Sequence, residues 1–257
     1  GPQVIEGFHG VPYDAPLTRI REVVEICRKV WKREEKLVHD GKKYHIPLPA
    51  EEGTGLGIPL KLVNHPYRDN IPIALATLTE KNVAMTAEIA EAWLPAFYMA
   101  EGADNVWGAA LTKGKAKRPI DMPPLDIYAG GAVAIGEALE DYRNMARAGI
   151  ALYVGGMGAR ERNFYNDVFK QYGYEKEAKR IQNLYLSGRR SEAEAAIPQR
   201  YLDATTLVGS EGFVVDRLHA LKNSGVTSLN VNFVGTTTKQ RVKNCDALKN
   251  LLTKQGL

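Results

Sequence analysis

The sequence predicts an α/β fold with parallel strands, compatible with one α/β barrel, and three observations support this prediction. The chain has 257 residues, of which 44% are hydrophobic, so it is long enough to bury a sizeable core. The nearly all-apolar run Ile71–Thr77 leads directly into a helical pattern. A strand, a helix and a second strand follow one another between Thr205 and Val234. Strands that alternate with helices in this way are typical of parallel sheets.

Composition and charge exclude several classes of protein. The formal charge of +4 is too small to indicate a nucleic-acid partner. No apolar run approaches membrane-spanning length and no signal peptide is recognisable, so no membrane partner is expected. The only two cysteines, Cys27 and Cys245, lie in separate helical patterns, which favours a reduced, cytoplasmic protein. The chain begins at Gly1 without an initiator Met, and we therefore expect further sequence upstream.

The first segment, Gly1–Tyr13, is punctuated by glycine and proline and is predicted to be a loop. We expect it to be the exit of a strand whose body precedes residue 1. Glu6 and His9 are its titratable groups, and a lone histidine in a turn is more often structural than catalytic.

A helix is predicted from Leu17 to Lys32, after Pro16, because apolar residues recur along one face. Arg19 and Arg21 fall in its first turn, which is the unfavourable end of the helix dipole for a cation. A bound anion would explain their position, and solvated surface is the alternative.

Helical periodicity is lost between residues 34 and 70, which we interpret as an irregular insertion. Alternating residues on either side of Asp40-Gly41 predict a hairpin. Gly53, Gly55 and Gly57 are spaced as G-x-G-x-G, which matches neither a Walker loop nor a dinucleotide fingerprint. We expect this excursion to lie on the binding face of the barrel, because loops on the opposite face tend to be short.

The connection after Ile71–Thr77 is a candidate phosphate site. Thr77 and Thr79 open a helix, and Lys81 and Asn82 lie in its first turn. A helix fed directly by a parallel strand presents free N–H groups and the positive end of its dipole, which suits a phosphate. An ordinary strand-to-helix connection of a barrel is the alternative.

Two glycine-rich segments are further candidates. Gly209–Gly212 is a second connection of the same kind, although Glu211 at the helix start argues against an anion there. Gly155, Gly156 and Gly158 form a cluster that would let the backbone approach a ligand closely. A plain turn between helices is the alternative for this cluster.

Periodicity assigns the remaining elements. They are a helix through Val106 and Leu111, a basic loop at Lys113–Arg118, a strand at Leu125–Gly130, a helix at Ala134–Ala148, an aromatic-rich helical segment at Asn163–Ser187, a polar helix at Arg189–Arg200 and a closing helix at Lys239–Leu252. No Ser-His-Asp set, metal-ligand cluster or carboxylate pair occurs at a convincing spacing. No metal site is therefore predicted, and a cofactor would have to carry any redox chemistry.

Five motifs in this order resemble one enzyme family. They are GPQVIEGFHGVP, PLTRIRE, GTGLGIPL, KNVAMTAEIA and YVGGMGARERNFYND. Together they are similar to the luciferase-like (LLM class) flavin- and deazaflavin-dependent oxidoreductases, and more narrowly to the coenzyme F420-dependent branch akin to methylene-tetrahydromethanopterin reductase. The resemblance covers nearly the whole chain.

The resemblance implies a fold in more detail. It implies a (β/α)8 TIM barrel of the bacterial-luciferase type, here incomplete and running from about the exit of strand four to strand eight. Residues 1–257 would form a single luciferase-like domain with irregular insertions at about 34–70 and 150–200. The family's first three strands and most of its fourth have no counterpart in this sequence.

The resemblance also assigns cofactor-binding residues. Gln3 and Val4 would lie beside the deazaflavin ring, while Ala76, Thr77, Leu78 and Thr79 would line its edge and side chain. Lys81, Asn82 and nearby backbone N–H groups would hold the phosphate, and Gly155, Gly156, Met157 and Gly158 would belong to a lid or tail-binding insertion. Glu6 and His9 are the local candidates for a proton donor. The chain departs from many relatives at Thr79-Glu80, which adds a negative charge near the phosphate, and at Glu91-Ala92, which we expect to alter a turn.

The implied activity is hydride transfer between reduced coenzyme F420 and a small organic substrate. One alternative is an FMN-dependent luciferase-like monooxygenase, and another is an inactive fragment or binding subunit that completes its barrel with a partner chain. A homodimer is also possible. The polyglutamate tail of the deazaflavin could meet the basic residues Lys113, Lys115, Lys117 and Arg118, or Arg160 and Arg162.

Overall fold

Parallel strands form the centre of the molecule in the computed structural model, which describes residues 1–257. The strands are β1 (His39–Asp40), β2 (His45–Ile46), β3 (Ala74–Leu75), β4 (Ala92–Trp93), β5 (Asp126–Ala129), β6 (Ala132–Ile135), β7 (Leu207–Gly209), β8 (Ser228–Leu229) and β9 (Asn232–Phe233). The α-helices are α1 (Pro2–Gly7), α2 (Pro16–Lys32), α3 (Glu80–Ile89), α4 (Ala109–Lys115), α5 (Glu140–Asn144), α6 (Ala146–Ala151), α7 (Phe164–Gln171), α8 (Glu175–Leu186), α9 (Arg190–Ala195), α10 (Gln199–Thr205), α11 (Glu211–Asn223) and α12 (Thr238–Gln255). A 3₁₀ turn at Ala50–Glu52 and two π-helical turns, Asp104–Gly108 before α4 and Leu152–Gly156 after α6, complete the list.

The central strands pair in two parallel groups, β3-β4-β5-β8 and β7-β6-β9. β6 continues the path of β5 beyond Gly130 and Gly131, and β9 continues the path of β8, so the two groups are joined through these two long strands. Tyr128 pairs with Ser228, and Ala132 pairs with Asn232, which keeps one register along both segments. The result is a TIM-barrel-like α/β sheet in which β3 is an edge strand with β4 as its one neighbour.

The main core lies between this sheet and the helices α3, α4, α11 and α12. Ile127 and Val133 contribute from the strands, and Trp93 and Trp107 are fully buried among them. Each buried Trp removes a large apolar area from water, so these two side chains dominate the packing at this end of the sheet. Residues between β6 and β7 form a second core, which contains Ile150, Phe169, Ile181 and Tyr201 and joins α6 to α10.

The predicted loop at the amino terminus is wrong in part, because Pro2–Gly7 form the short helix α1. Pro2 sits in the first helical turn, where its missing N–H costs nothing. The residues from Gly1 to Tyr13 hydrogen-bond only with one another, and α1 has no buried residue.

The helix after Pro16 is confirmed as α2, and its two arginines have protein partners. Arg19 pairs with Asp14 at 2.6 Å, and Arg21 pairs with Glu88 of α3 at 3.0 Å. These carboxylates account for the cations in the first turn, so no bound anion is needed to explain them.

Three strand predictions need correction. The nearly all-apolar run Ile71–Thr77 predicts a buried parallel strand, but β3 is two residues long and Ala74 is exposed, because an edge strand lacks a neighbour. The helix predicted at Ala134–Ala148 is wrong at its start, because Ala134 and Ile135 belong to the strand β6. The altered turn expected at Glu91-Ala92 is instead the entry to β4, a strand that was not predicted.

The remaining predictions from periodicity hold with smaller changes. The hairpin at Asp40-Gly41 is confirmed by the antiparallel pair β1–β2, and otherwise residues 34–70 contain only the short 3₁₀ turn. The basic loop is partly helical, because Lys113 and Lys115 belong to α4. None of the helices combines the length and the apolar character that crossing a bilayer requires.

Candidate functional site

The connection between β3 and α3 is held rigidly by two indole groups. The Nε1–H of Trp93 donates to the carbonyl oxygen of Thr77, and that of Trp107 donates to the carbonyl oxygen of Leu78, both at 2.9 Å. The hydroxyls of Thr77 and Thr86 lie 2.8 Å apart and are buried. Because the Trp93 and threonine contacts are buried and the Trp107 contact is partly buried, the backbone between the strand and the helix has one well-defined path.

The first turn of α3, which we call the α3 start (Thr79–Asn82), leaves its backbone donors free. Thr79 has an extended conformation and makes no capping hydrogen bond through its side chain. The first backbone bond of the helix runs from the N–H of Val83 to the carbonyl of Thr79 at 2.9 Å, and the N–H groups of Glu80, Lys81 and Asn82 have no acceptor in the protein. Free donors together with the positive end of the dipole form an anion-binding position.

Side chains at the α3 start add to this character. Lys81 is exposed, and its ammonium group can approach an anion held by the backbone. The Oδ1 atom of Asn82 is buried and has no hydrogen-bond partner, which is unusual for an amide oxygen. Glu80, also exposed, introduces a carboxylate in the same turn and weakens the positive field. Thr77, Leu78, Thr79, Lys81 and Asn82 therefore all lie at this connection, and their role in binding a cofactor stays a prediction.

The competing connection at Gly209–Gly212 is partly satisfied by the protein itself. The Oγ of Ser210 accepts the N–H of Phe213 at 3.4 Å and so caps α11. The guanidinium of Arg143 lies over the Phe213 ring at 5.0 Å and also pairs with Asp203 at 2.7 Å. The N–H groups of Glu211 and Gly212 also lack an acceptor. Because Ser210 caps the N–H of Phe213 and the nearby Arg143 is already paired, this connection is a weaker anion site than the α3 start.

The sheet carries polar side chains on the face away from the main core. Tyr128 alternates with the buried Ile127 and Ala129, and Asn230 alternates with Leu229 and Val231, which pack against that core. A cavity of about 260 Å³, which we call the inner cavity, opens beside Tyr128 and Asn230 near the carboxyl ends of β4 and β5. The alternation of polar and apolar residues in 228–233 was a signal that could have indicated this face from the sequence.

The structure does not bring the amino-terminal candidates to the α3 start. Gln3 and Val4 lie on the exposed helix α1, and no hydrogen bond or ion pair links them to α3. Glu6 accepts the backbone N–H of Tyr13 at 3.1 Å, and His9 is exposed with its ring edge against Phe8. Neither titratable group has a second polar partner that would orient it for proton transfer.

Packing explains why glycine occupies positions 155 and 156 of the cluster Gly155–Gly158. A Cβ atom on Gly155 or Gly156 would lie 2.5 or 2.3 Å from atoms of Tyr185, so the π-helical turn needs glycine there to approach α8. Gly158 has a φ of +134°, a conformation that glycine adopts readily. Met157 follows the π-helical turn and is 37% exposed. These contacts favour a structural role for the cluster over close contact with a ligand.

Two arginines of the basic segments have structural partners. Arg118 donates to the carbonyl oxygens of Ala87 and Ala90, at 2.9 and 2.7 Å, and so closes the carboxyl end of α3. Arg160 donates to Oδ1 of Asn183 at 2.6 Å. The segment Lys113–Arg118 contains four basic residues, and one of them, Lys113, lines the same groove as Lys81.

A TIM-barrel-like α/β sheet with an uncapped helix start at the carboxyl end of a parallel strand defines a class of ligand-binding barrel proteins. The chain belongs to the luciferase-like monooxygenase family, whose model matches residues 1–228. A protein of Mycobacterium tuberculosis with the provisional name coenzyme F420-dependent oxidoreductase is 40% identical over 236 residues. That match covers 89% of this chain, and the chain spans 66% of the length of that relative.

Solved structures confirm the fold. The coenzyme F420-dependent tetrahydromethanopterin reductase from Methanopyrus kandleri superposes with a TM-score of 0.69 at 18% identity, over 98% of this chain and 70% of that chain. An F420-dependent secondary alcohol dehydrogenase, solved with an F420-acetone adduct, superposes with a TM-score of 0.65 at 8% identity, over 96% of this chain and 66% of the other. The predicted luciferase-type barrel architecture is therefore confirmed.

Proposed function

We propose that this chain is an oxidoreductase that binds coenzyme F420 and takes part in hydride transfer to or from a small organic substrate. The observation that carries the proposal is the α3 start, where three backbone N–H groups lack an acceptor and Lys81 stands beside them. A phosphate group of the cofactor would accept hydrogen bonds from these donors. The name of the 40% identical relative supports the choice of cofactor.

The residues at the α3 start and just before it are compatible with a bound phosphate group. The carbonyls of Thr77 and Leu78 point to the two indoles, so they are already paired and do not repel an anion from the site. When bound, the deazaflavin supplies the hydride chemistry, while the chain holds its phosphate and orients its ring. Gln3, Val4 and Ala76 stay proposed ring contacts on the family resemblance alone, as Glu6 and His9 stay proposed proton donors.

We also propose a cellular compartment, a class of partner and an assembly for the enzyme. Cys27 and Cys245 are both free thiols, which supports a reducing, cytoplasmic compartment. The partner is a small-molecule substrate, and a homodimer is the proposed assembly.

The second candidate is a flavin mononucleotide-dependent monooxygenase, which the name of the matching family favours. Flavin mononucleotide also carries a phosphate, so the α3 start alone does not separate the two cofactors. A fluorescence titration of the purified chain with each cofactor does. We expect coenzyme F420 to bind more tightly, and a clear preference for flavin mononucleotide would reverse the assignment. Oxygen consumption with reduced flavin is the matching activity measurement.

A further inference from the structure

The inner cavity has a chemical character that indicates what it binds. Its walls include the apolar side chains of Pro95, Phe97, Ala146 and Ile150, and none of its lining residues is charged. Its volume of about 260 Å³ lies just below the roughly 300–1,000 Å³ of typical ligand pockets. A cavity without a charged wall penalises an ionic ligand, because the ligand would lose its hydration without gaining a counter-ion.

Two polar groups in this cavity lack partners. The hydroxyl of the half-buried Tyr128 and the side-chain amide of the exposed Asn230 form no hydrogen bond within the protein. In contrast, the hydroxyls of Thr205 and Thr206 are used internally and donate to carbonyls of α10, both at 2.8 Å. The free donors are therefore confined to the strand side of the cavity, where they would meet one oxygen atom of a ligand.

One wall of the cavity includes a strained residue, Phe97. Phe97 has a φ of +57°, a left-handed conformation that a bulky side chain rarely adopts. The hydroxyl of the half-buried Tyr172 holds it there, donating to the carbonyl of Phe97 and accepting the N–H of Met99, both at 3.0 Å. Such strain persists only where the surroundings fix it, and it is concentrated at functional sites.

An aromatic cluster fixes the Phe97 ring as well as its backbone. The ring makes edge contacts with Tyr153 and Tyr165, at centroid distances of 5.5 and 5.6 Å, and these two rings lie 4.8 Å apart. Both tyrosines come from the helical insertion, so the insertion and the end of β4 together set the position of this wall.

We infer that the inner cavity binds the substrate, and that the substrate is a small, uncharged and largely apolar compound with a carbonyl or hydroxyl oxygen. Tyr128 and Asn230 bind that oxygen, and Phe97 limits the size of the apolar part. The inference rests on the proposed function for its substrate role, but the binding itself does not require a cofactor.

Ligand-observed NMR titrations of the chain without cofactor test the cavity, with cyclohexanone as the probe. We expect saturable binding that Tyr128→Phe weakens about threefold to tenfold, because one hydrogen bond is lost. Ala132→Leu, which places a larger side chain in the cavity wall, should abolish it. Tyr67→Phe is the matched control, since Tyr67 is fully exposed, and it should leave the affinity unchanged. Unchanged affinity in Tyr128→Phe, or in a folded Ala132→Leu chain, would overturn the inference.

Two further probes test the charge and size of the ligand. Cyclohexanecarboxylate should bind at least about tenfold more weakly than cyclohexanone, because the cavity offers no cation. Phe97→Gly keeps the left-handed backbone accessible while removing the wall, so 4-tert-butylcyclohexanone should gain affinity relative to cyclohexanone. Equal binding of the carboxylate, or an unchanged size preference, contradicts the assignment.

The outcomes separate this inference from the proposed function. If coenzyme F420 fails to bind while cyclohexanone binds and responds to Tyr128→Phe, the proposed function fails and the cavity assignment stands. If coenzyme F420 binds and cyclohexanone shows no saturable binding, the cavity assignment fails alone.

Discussion

The starts of α3 and α12 follow parallel strands in the same way, yet they treat their backbone donors differently. At α12 the Oγ1 of Thr237 accepts the N–H of Gln240 at 3.2 Å, and the Gln240 side chain accepts the N–H of Thr237 at 3.2 Å. This capping box satisfies donors on both sides of the helix start. At α3 a threonine occupies the same N-cap position, but its side chain makes no such bond.

The difference shows that residue type alone does not determine whether a helix start is available to a ligand. Threonine is a favoured N-cap in general, so the sequence suggests that Thr79 and Thr237 are equivalent. The two indoles explain why α3 is formed without a cap. Trp93 and Trp107 bind the carbonyls that precede the helix, so its entry is fixed from the strand side and its N–H groups stay free.

The largest expected effect comes from removing one of these indoles. Trp93→Phe leaves the buried carbonyl of Thr77 without a donor and opens a void, so we expect the free energy of unfolding to fall by about 2–4 kcal/mol. Urea denaturation measures this change. Trp31→Phe is the control, because Trp31 is partly exposed and forms no hydrogen bond, and its change should stay below about 1 kcal/mol. Equal losses in both variants would contradict the role of the indole.

The next prediction concerns the two threonines directly. Thr237→Ala removes a working cap and should lower stability by about 1 kcal/mol. Thr79→Ala removes no capping bond, and its effect should stay within about 0.5 kcal/mol. Thermal or urea unfolding of the two variants gives the comparison, and a larger loss in Thr79→Ala would show that α3 is capped in solution.

A ligand titration distinguishes the two helix starts by function. Lys81 and Lys239 occupy the second position of α3 and α12, and both are exposed. We expect Lys81→Met to weaken binding of coenzyme F420 about twofold to fivefold, since one exposed charge beside a helix start contributes about 0.3–1 kcal/mol. Lys239→Met should leave the affinity unchanged. An equal loss of affinity in both variants would mean that the overall charge of the chain, and not the position of Lys81, determines binding.

The smallest expected effect concerns the start of α2, which has neither the capping box of α12 nor the free N–H groups of α3 as its distinguishing feature. There Lys43 and Arg19 bind Asp14 and lower the pKa of its carboxyl from 3.8 to about 2. Because the folded-state pKa lies below the unfolded one, the stabilisation is complete above about pH 4 and is lost as the pH falls toward 2. We therefore expect a small stability advantage of the wild-type chain over Asp14→Asn at pH 7 that disappears near pH 2. Urea unfolding at several pH values measures it, and an advantage that persists at pH 2 would contradict the ion-pair explanation.

Local patterns in the sequence were sufficient for much of the fold. The amphipathic period of α2 and the apolar run before α3 depend on neighbouring residues only, and both predictions are confirmed in position. β4 was missed because it has two residues, and only its pairing with β3 and β5 makes it a strand. The run Ala132–Ile135 has no clear period, so nothing local separates a strand from a helix there.

The candidate site was predictable to a similar extent. The α3 start follows from a strand-to-helix pattern, and its residues were identified from the sequence. The inner cavity was not predicted, because Tyr128 and Phe97 are 31 positions apart and meet only through the path of the sheet. The glycines of the second cluster could not be interpreted from the sequence either, since their partner Tyr185 lies on a later helix.

The attachment of α2 to the sheet has a consequence for how the molecule fluctuates. Arg28 of α2 donates at 2.7 Å to the carboxylate of Glu91, which also accepts the N–H of Ile73 at 2.8 Å. Arg21 of α2 also pairs with Glu88 of α3, but the apolar face of α2 borders an open groove beside β3, and Val23 on it is 43% exposed. Few buried contacts mean a low cost of local opening, so amide hydrogens of α2 and β3 should exchange with solvent well before those of α3 and α4. The α3 start therefore lies between two regions that exchange at different rates. The helices α3 and α4 exchange slowly, and α2 and β3 exchange rapidly.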